Sequence, residues 1–274
     1  MQFKQLFIAA AAGAAVLASA PALADRLQDI QKAGVLRVAA LDANPPFGFT
    51  DPKTRKIIGL DVDYAQEFAQ RLGVKLQLVP TNPANRVPLL LAGKVDLVLA
   101  NFTITEERAK QVNFSIPYFA SGTQFIAPKG KLTAPEQLSS LRIGVDKGTT
   151  NEIVLREKYP QAQLVAYDDT PFAFTALRNG NVQAISQDGP KLIGLLATIK
   201  DKKERDKWEV PAFTISSDYI GVGIPKGETA LTDWVSTTLK ELEANGQAGK
   251  IYDTWFGPQS NTPLQRNFKI GDKL

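Results

Sequence analysis

Residues 60–79 read LDVDYAQEFAQRLGVKLQLV. Val62, Ala65, Ala69 and Leu72 recur at helical spacing and would share one face. Gly73 then stops the periodicity, and Lys75 to Val79 alternates apolar and polar as a half-buried strand does. A helix feeding a strand without a hairpin signal calls for a strand before it. Residues 35–40, VLRVAA, supply one, preceded by a short helix over 25–33 that ends at Gly34 and followed by the turn-rich 42–46. Downstream, a short helix over 85–91 leads to a third strand over 95–100. Strand, helix, strand, helix, strand implies parallel pairing with right-handed crossovers. Ligands of such sheets sit beyond the carboxyl ends of the strands. Asn44, Asn85, Arg86 and residues 101–105 should therefore converge on one edge.

The layout then repeats. Strand 141–145, helix 152–158, strand 163–167, helix 170–179 and strand 182–186 end at Gln187-Asp188-Gly189-Pro190. Two copies predict an α/β fold of two lobes around a cleft, each a mainly parallel sheet flanked by helices. Extended pieces over 118–127 and 215–224 would carry the chain across and back. An amphipathic helix around 233–245 and the ending IYDTWFG would return to the first lobe. The expected division is 25–117 with 221–274 in one lobe, 123–215 in the other, and hinge strands at 118–122 and 216–220.

Residues 1–24 read as a cleavable leader. Lys4 precedes an apolar, alanine-rich run to Ala20, and Ala22-Leu23-Ala24 is a small-x-small cleavage site. Removing 24 residues from 274 leaves 250, enough for one large domain or two moderate ones. No second long apolar segment follows, so no membrane span is expected, and a receptor sensor domain would need one. Without Lys4 the chain carries 31 basic and 28 acidic residues. The basic residues are scattered and not interleaved with aromatics, which argues against nucleic acid. Cysteine and histidine are both absent. That excludes disulfides, a lipid-modified cysteine, Cys/His zinc sites, and Ser-His-Asp or Cys-His catalysis. No metal or cofactor is expected.

The run NFTITEERAKQVNFSIPYF, residues 101–119, places Thr103, Thr105 and Arg108 at a strand tip. Together with GLDVD at 59–63, IGV at 143–145 with GTT at 148–150, IPKG at 224–227 and the ending from Asn245 to Gly257, it resembles a known family across the mature chain. These are the polar amino acid-binding proteins of bacterial ABC importers, solute-binding protein family 3. The resemblance implies a soluble periplasmic monomer that binds a free amino acid by closing its lobes. The closed form would dock on an ABC permease in the inner membrane.

The resemblance also carries roles onto residues. Arg108 becomes the α-carboxylate ligand, a role that suits a planar guanidinium fork. On the residues alone it reads as a helix-start arginine paired with Glu106 or Glu107. Thr103 would donate to the ligand's backbone groups and Ala100 would offer its carbonyl to the ammonium. Asp188 matches the ammonium-binding aspartate, although Asp before Gly-Pro is also a common turn residue. Thr149 and Thr150 begin a helix whose free amides can receive a carboxylate, besides capping it. Arg86 lies where members nearest in motif, the aspartate or glutamate binders, place a second arginine for the side-chain carboxylate. Asn101 could bond a carboxylate or an amide. Asn44 stands where an aromatic is frequent, and the missing aromatics argue against a stacked cationic ligand. The ligand expected is therefore glutamate or aspartate, then glutamine or asparagine. The competing class is an enzyme, since cyclohexadienyl dehydratases resemble these proteins. Their acid would fall just after Asp188, where this chain has Lys191.

Overall fold

The computed structural model describes residues 25–272, and the expected leader lies outside them. In chain order the first part holds α1 (Arg26–Ala33), β1 (Val35–Leu41), β2 (Ala43–Asn44), β3 (Gly48–Thr50), β4 (Ile57–Ile58), α2 (Leu60–Leu72) and β5 (Lys75–Thr81). It continues with α3 (Arg86–Leu91), β6 (Leu97–Val98), α4 (Glu106–Gln111) and β7 (Val112–Phe114). Next come β8 (Phe119–Ser121), β9 (Thr123–Pro128), β10 (Arg142–Asp146), α5 (Thr150–Lys158), β11 (Gln163–Tyr167), α6 (Thr170–Arg178) and β12 (Ala184–Asp188). The chain ends with α7 (Gly189–Ala197), α8 (Lys202–Arg205), β13 (Trp208–Glu209), β14 (Asp218–Ile220), β15 (Gly223–Pro225), α9 (Thr229–Ala244) and α10 (Gln247–Phe256).

Two five-stranded sheets organise the molecule, in the orders β5-β1-β6-β15-β7 and β11-β10-β12-β9-β13. In each, three strands pair in parallel, and the fourth in that order runs against its neighbours on both sides. The last strand therefore points with the first three, so four of the five share one direction. Each lobe is a mainly parallel sheet with helices on it. The crossovers β8 and β14 pair with each other, antiparallel, between the two sheets.

Local chemistry explains the element ends. Asp25 caps α1 by accepting the Leu27 and Gln28 amides. Gly59, at the head of α2, has φ +144, and a Cβ there would lie 2.2 Å from the Phe47 carbonyl oxygen. Only glycine lets the turn before β3 sit directly on the start of α2. The third strand is shorter than its apolar run predicts. Asp96 turns inward, and its Oδ2 accepts the Arg37 amide at 2.8 Å, in place of a backbone carbonyl. Beyond Val98 the chain bends toward Asn101, whose φ is +46.

The tail packs where the first sheet needs cover. Leu231, Val235 and Leu239 of α9, with Ile251 and Phe256 of α10, join Leu36, Val38, Phe68 and Leu97 in one core. The second sheet buries two smaller clusters, one around Phe125, Ile143 and Leu155, the other around Ile126, Ile185 and Leu192. Helix α7 begins at Gly189-Pro190, a pair read from sequence as a turn. Proline costs nothing in the first helical turn, where its missing N–H has no partner to lose. Among the described residues no helix is long and apolar enough to cross a membrane.

Candidate functional site

The carboxyl ends of β5, β6, β10 and β12 face one another across the cleft. Four of the residues that follow or end them, Arg86, Thr103, Thr150 and Asp188, border a cavity of about 10 Å³, with Asn101, Thr149, Asn151, Gln187 and Lys191 beside them. That volume holds about one water, far below the roughly 300 Å³ or more of a pocket enclosing a drug-sized molecule. The lobes are shut on each other by polar contacts. The Asn101 amide donates to Asp188 Oδ2, and the Thr103 and Thr150 hydroxyls lie 3.3 Å apart. Any ligand must part the lobes and exchange these contacts for its own.

Asn101 is held in its left-handed conformation by Asp61, a residue the sequence reading did not single out for the site. Asp61 Oδ2 accepts the Asn101 backbone N–H at 2.8 Å, and Oδ1 accepts the Tyr118 hydroxyl at 2.7 Å. Burial pushes the Asp61 carboxyl up from 3.8 to about 7, against the downward pull of those two hydrogen bonds. The folded state therefore holds this proton more tightly than the unfolded chain. The cost is absent below pH 3.8, grows as pH rises from 3.8 to 7, and is complete above 7. Urea unfolding at pH 4 and 7 should show wild type losing stability relative to Asp61→Asn, by up to about 4 kcal/mol. Parallel behaviour of the two proteins would place the proton elsewhere.

Two guanidiniums dominate the first-lobe side. Arg86 is 3 % exposed and donates to the carbonyls of Pro83, Ala100 and Asn101, and to Gly148 across the cleft at 3.3 Å. Arg108 donates to the carbonyls of Thr103 at 2.7 Å and Gly148 at 2.9 Å. Both cations lie within 5 Å of the Phe102 ring centre, at 4.9 and 4.7 Å. Neither has a carboxylate partner among the described residues. Burial pulls both below the ordinary arginine range; for Arg86 the neighbouring Arg108 charge adds to it. The Gly148 carbonyl oxygen thus occupies the point where the buried Arg86 and the half-buried Arg108 guanidiniums converge, a place better suited to a carboxylate.

The second lobe supplies the opposite charge. Asp188 is 1 % exposed and accepts from the Asn101 and Asn151 side-chain amides. Thr149 caps α5 through Glu152 N and donates its own hydroxyl to the Asp146 carbonyl. Asn101 Oδ1 is buried without a hydrogen-bond partner among the described residues, an acceptor suited to a cationic donor.

Of the nine residues expected at the site, Arg86, Asn101, Thr103, Thr149, Thr150 and Asp188 line this cavity. Arg108 stands just outside it on the Gly148 carbonyl, and the Ala100 carbonyl is taken by Arg86. Asn44 does not reach it. Its amide donates to Asp169 and its oxygen accepts from Thr170, a latch between the lobes set by the short turn from β2 into β3. Asn151, Gln187 and Lys191 line the cavity without having been assigned there. Gln187 is adjacent to Asp188, Lys191 is one turn beyond it, and Asn151 follows the Gly-Thr-Thr helix start.

Two α/β lobes that close on buried, unneutralised charges define a binding protein of the hinged, two-lobed class. The chain belongs to the bacterial extracellular solute-binding proteins, family 3, whose model matches residues 36–258. It is an amino-acid solute-binding protein of the ABC-importer type. The L-cystine-binding protein TcyJ of Escherichia coli is 31 % identical over 234 residues, covering 84 % of this chain and 86 % of that one. The glutamate/aspartate import solute-binding protein of the same species is 28 % identical over 269 residues, covering 93 % and 88 %. Among solved structures, a cysteine-binding protein from Campylobacter jejuni superposes with TM-score 0.81 at 29 % identity, covering 89 % of this chain and 96 % of that chain.

Proposed function

We propose that this protein is the periplasmic receptor of an amino-acid importer whose ligand is a polar L-amino acid, the acidic L-glutamate or L-aspartate first and the amides L-glutamine or L-asparagine next. The observation that carries the specificity is Arg86, a buried guanidinium at the cavity with no carboxylate partner among the described residues. The ligand's α-carboxylate goes to Arg108, Thr103 and the Thr149-Thr150 helix start. Its ammonium goes to Asp188, Asn101 Oδ1 and the second lone pair of the Ala100 carbonyl, which also accepts from Arg86, and its side-chain carboxylate to Arg86. The glutamate/aspartate relative supports this choice. Binding exchanges cross-lobe contacts for ligand contacts and favours closure at the hinge strands 118–122 and 216–220. The closed face is what an inner-membrane permease meets. Nothing in this scheme breaks a bond in the ligand, and Lys191 stands where the dehydratase reading would need an acid.

Substituting Arg86→Ala tests the assignment. L-Glutamate should bind about 30-fold or more weakly, as for a lost charge-paired hydrogen bond, while L-glutamine changes by less than about threefold. A general loosening of the site would weaken both ligands alike and would remove Arg86 from the ligand.

A further inference from the structure

Lys191 is 3 % exposed, lies in the first turn of α7, and borders the cavity opposite Arg86. Its ammonium makes no hydrogen bond among the described residues. Its single ion pair there, to Asp146 Oδ2, is stretched to 4.0 Å. That oxygen already accepts the Thr170 hydroxyl at 2.6 Å and the Gln187 amide at 2.7 Å. Asp146 Oδ2 is thus satisfied without the lysine, although Asp146 Oδ1 is buried with no hydrogen bond among the described residues, and the lysine is left with one long ion pair and no hydrogen bond there. Burying an ammonium in this way is costly unless a partner arrives.

The charges bordering the cavity point to that partner. Two are cations, Arg86 and Lys191, and one is a carboxylate, Asp188. Burial is the main force lowering the Lys191 pKa; Asp146, Asp188 and Asp169 oppose it, and the Arg86 charge adds to it. The two cations therefore repel each other across the closed cleft. A ligand whose ammonium meets Asp188 leaves this pair one carboxylate short, beyond the α-carboxylate held by Arg108.

We propose that Lys191 and Arg86 form a two-cation clamp, one arm from each lobe, on the side-chain carboxylate of an acidic amino acid. The inference rests on the acidic-ligand reading above and extends it to the second lobe. The arms differ in kind. Arg86 is fixed by four backbone carbonyls, whereas Lys191 is a point charge on a flexible stem. The fixed arm sets the direction of the side chain, and the flexible arm follows its length, so one site accepts both aspartate and glutamate. Because Lys191 reaches the ligand only when the lobes meet, the acidic side chain itself contributes to closure.

The test is calorimetric titration of ligand-stripped Lys191→Met with L-glutamate, L-aspartate, L-glutamine and L-asparagine. The acidic pair should lose about 10- to 100-fold in affinity and the amides less than about threefold. If Asp146, left without its counter-charge, unfolds the variant, the double substitution K191M/D146N reads the same ratio with both charges gone. Equal losses for acids and amides, or no loss, would make Lys191 a neutralising charge for lobe 2 and overturn the clamp. If wild type itself shows no preference for acids, the ligand reading fails and the clamp with it. If wild type prefers acids and K191M keeps the preference, only the clamp fails.

Discussion

Arg108→Ala should weaken amino-acid binding by about 2–5 kcal/mol, roughly thirty- to several-thousand-fold, whichever amino acid is titrated. The α-carboxylate is common to all of them, so this loss should not depend on the side chain. That separates it from Arg86→Ala, whose effect should be confined to acids. The fold should survive, because the Arg108 side chain binds only two carbonyls and lies against Phe102. A loss below about fivefold would return Arg108 to the role of a helix-start arginine.

The second large effect concerns closure and touches no ligand atom. Gly194 lies inside α7, and a Cβ there would meet the Pro45 carbonyl oxygen at 2.2 Å and Pro46 Cδ at 2.7 Å. The turn after β2 in one lobe therefore rests directly on the helix of the other. Gly194→Ala should favour the helix by up to about 1 kcal/mol while overpacking the closed interface by about 1–3 kcal/mol. Affinity should fall about 5- to 150-fold. Affinity at the wild-type level would mean that the lobes stop short of this contact when ligand is bound.

The sequence was most legible where glycines and periodicity coincide. Helix α2 between Gly59 and Gly73, and strand β11, appear at the residues expected. What escaped had physical reasons. The β2, β3 and β4 strands are two or three residues long and carry no period to read. Helix α7 hides behind Gly189-Pro190, and α10 behind Gly249 and a mixed composition. Strand β6 was overestimated because an inward Asp96 is invisible in an apolar run. At the site, the carboxyl ends of the strands and the loops after them brought Arg86, Thr103 and Asp188 together as parallel-sheet logic requires. The same logic could not say that Asn44 would turn to Asp169 and Thr170, because that depends on how the second lobe docks. Nor could it separate a solvated lysine from a buried one at 191.

The claim that joins these observations is that the buried cations of the cleft receive an acidic amino acid. Isothermal titration of the refolded, ligand-stripped protein tests it most directly, with L-glutamate and L-aspartate set against L-glutamine, L-asparagine, L-arginine and L-histidine. The account predicts that the acidic pair binds most tightly, by at least about tenfold over the amides. Tighter binding of a neutral or cationic amino acid would contradict it, and would leave Arg86 and Lys191 as internal charges of the closed form.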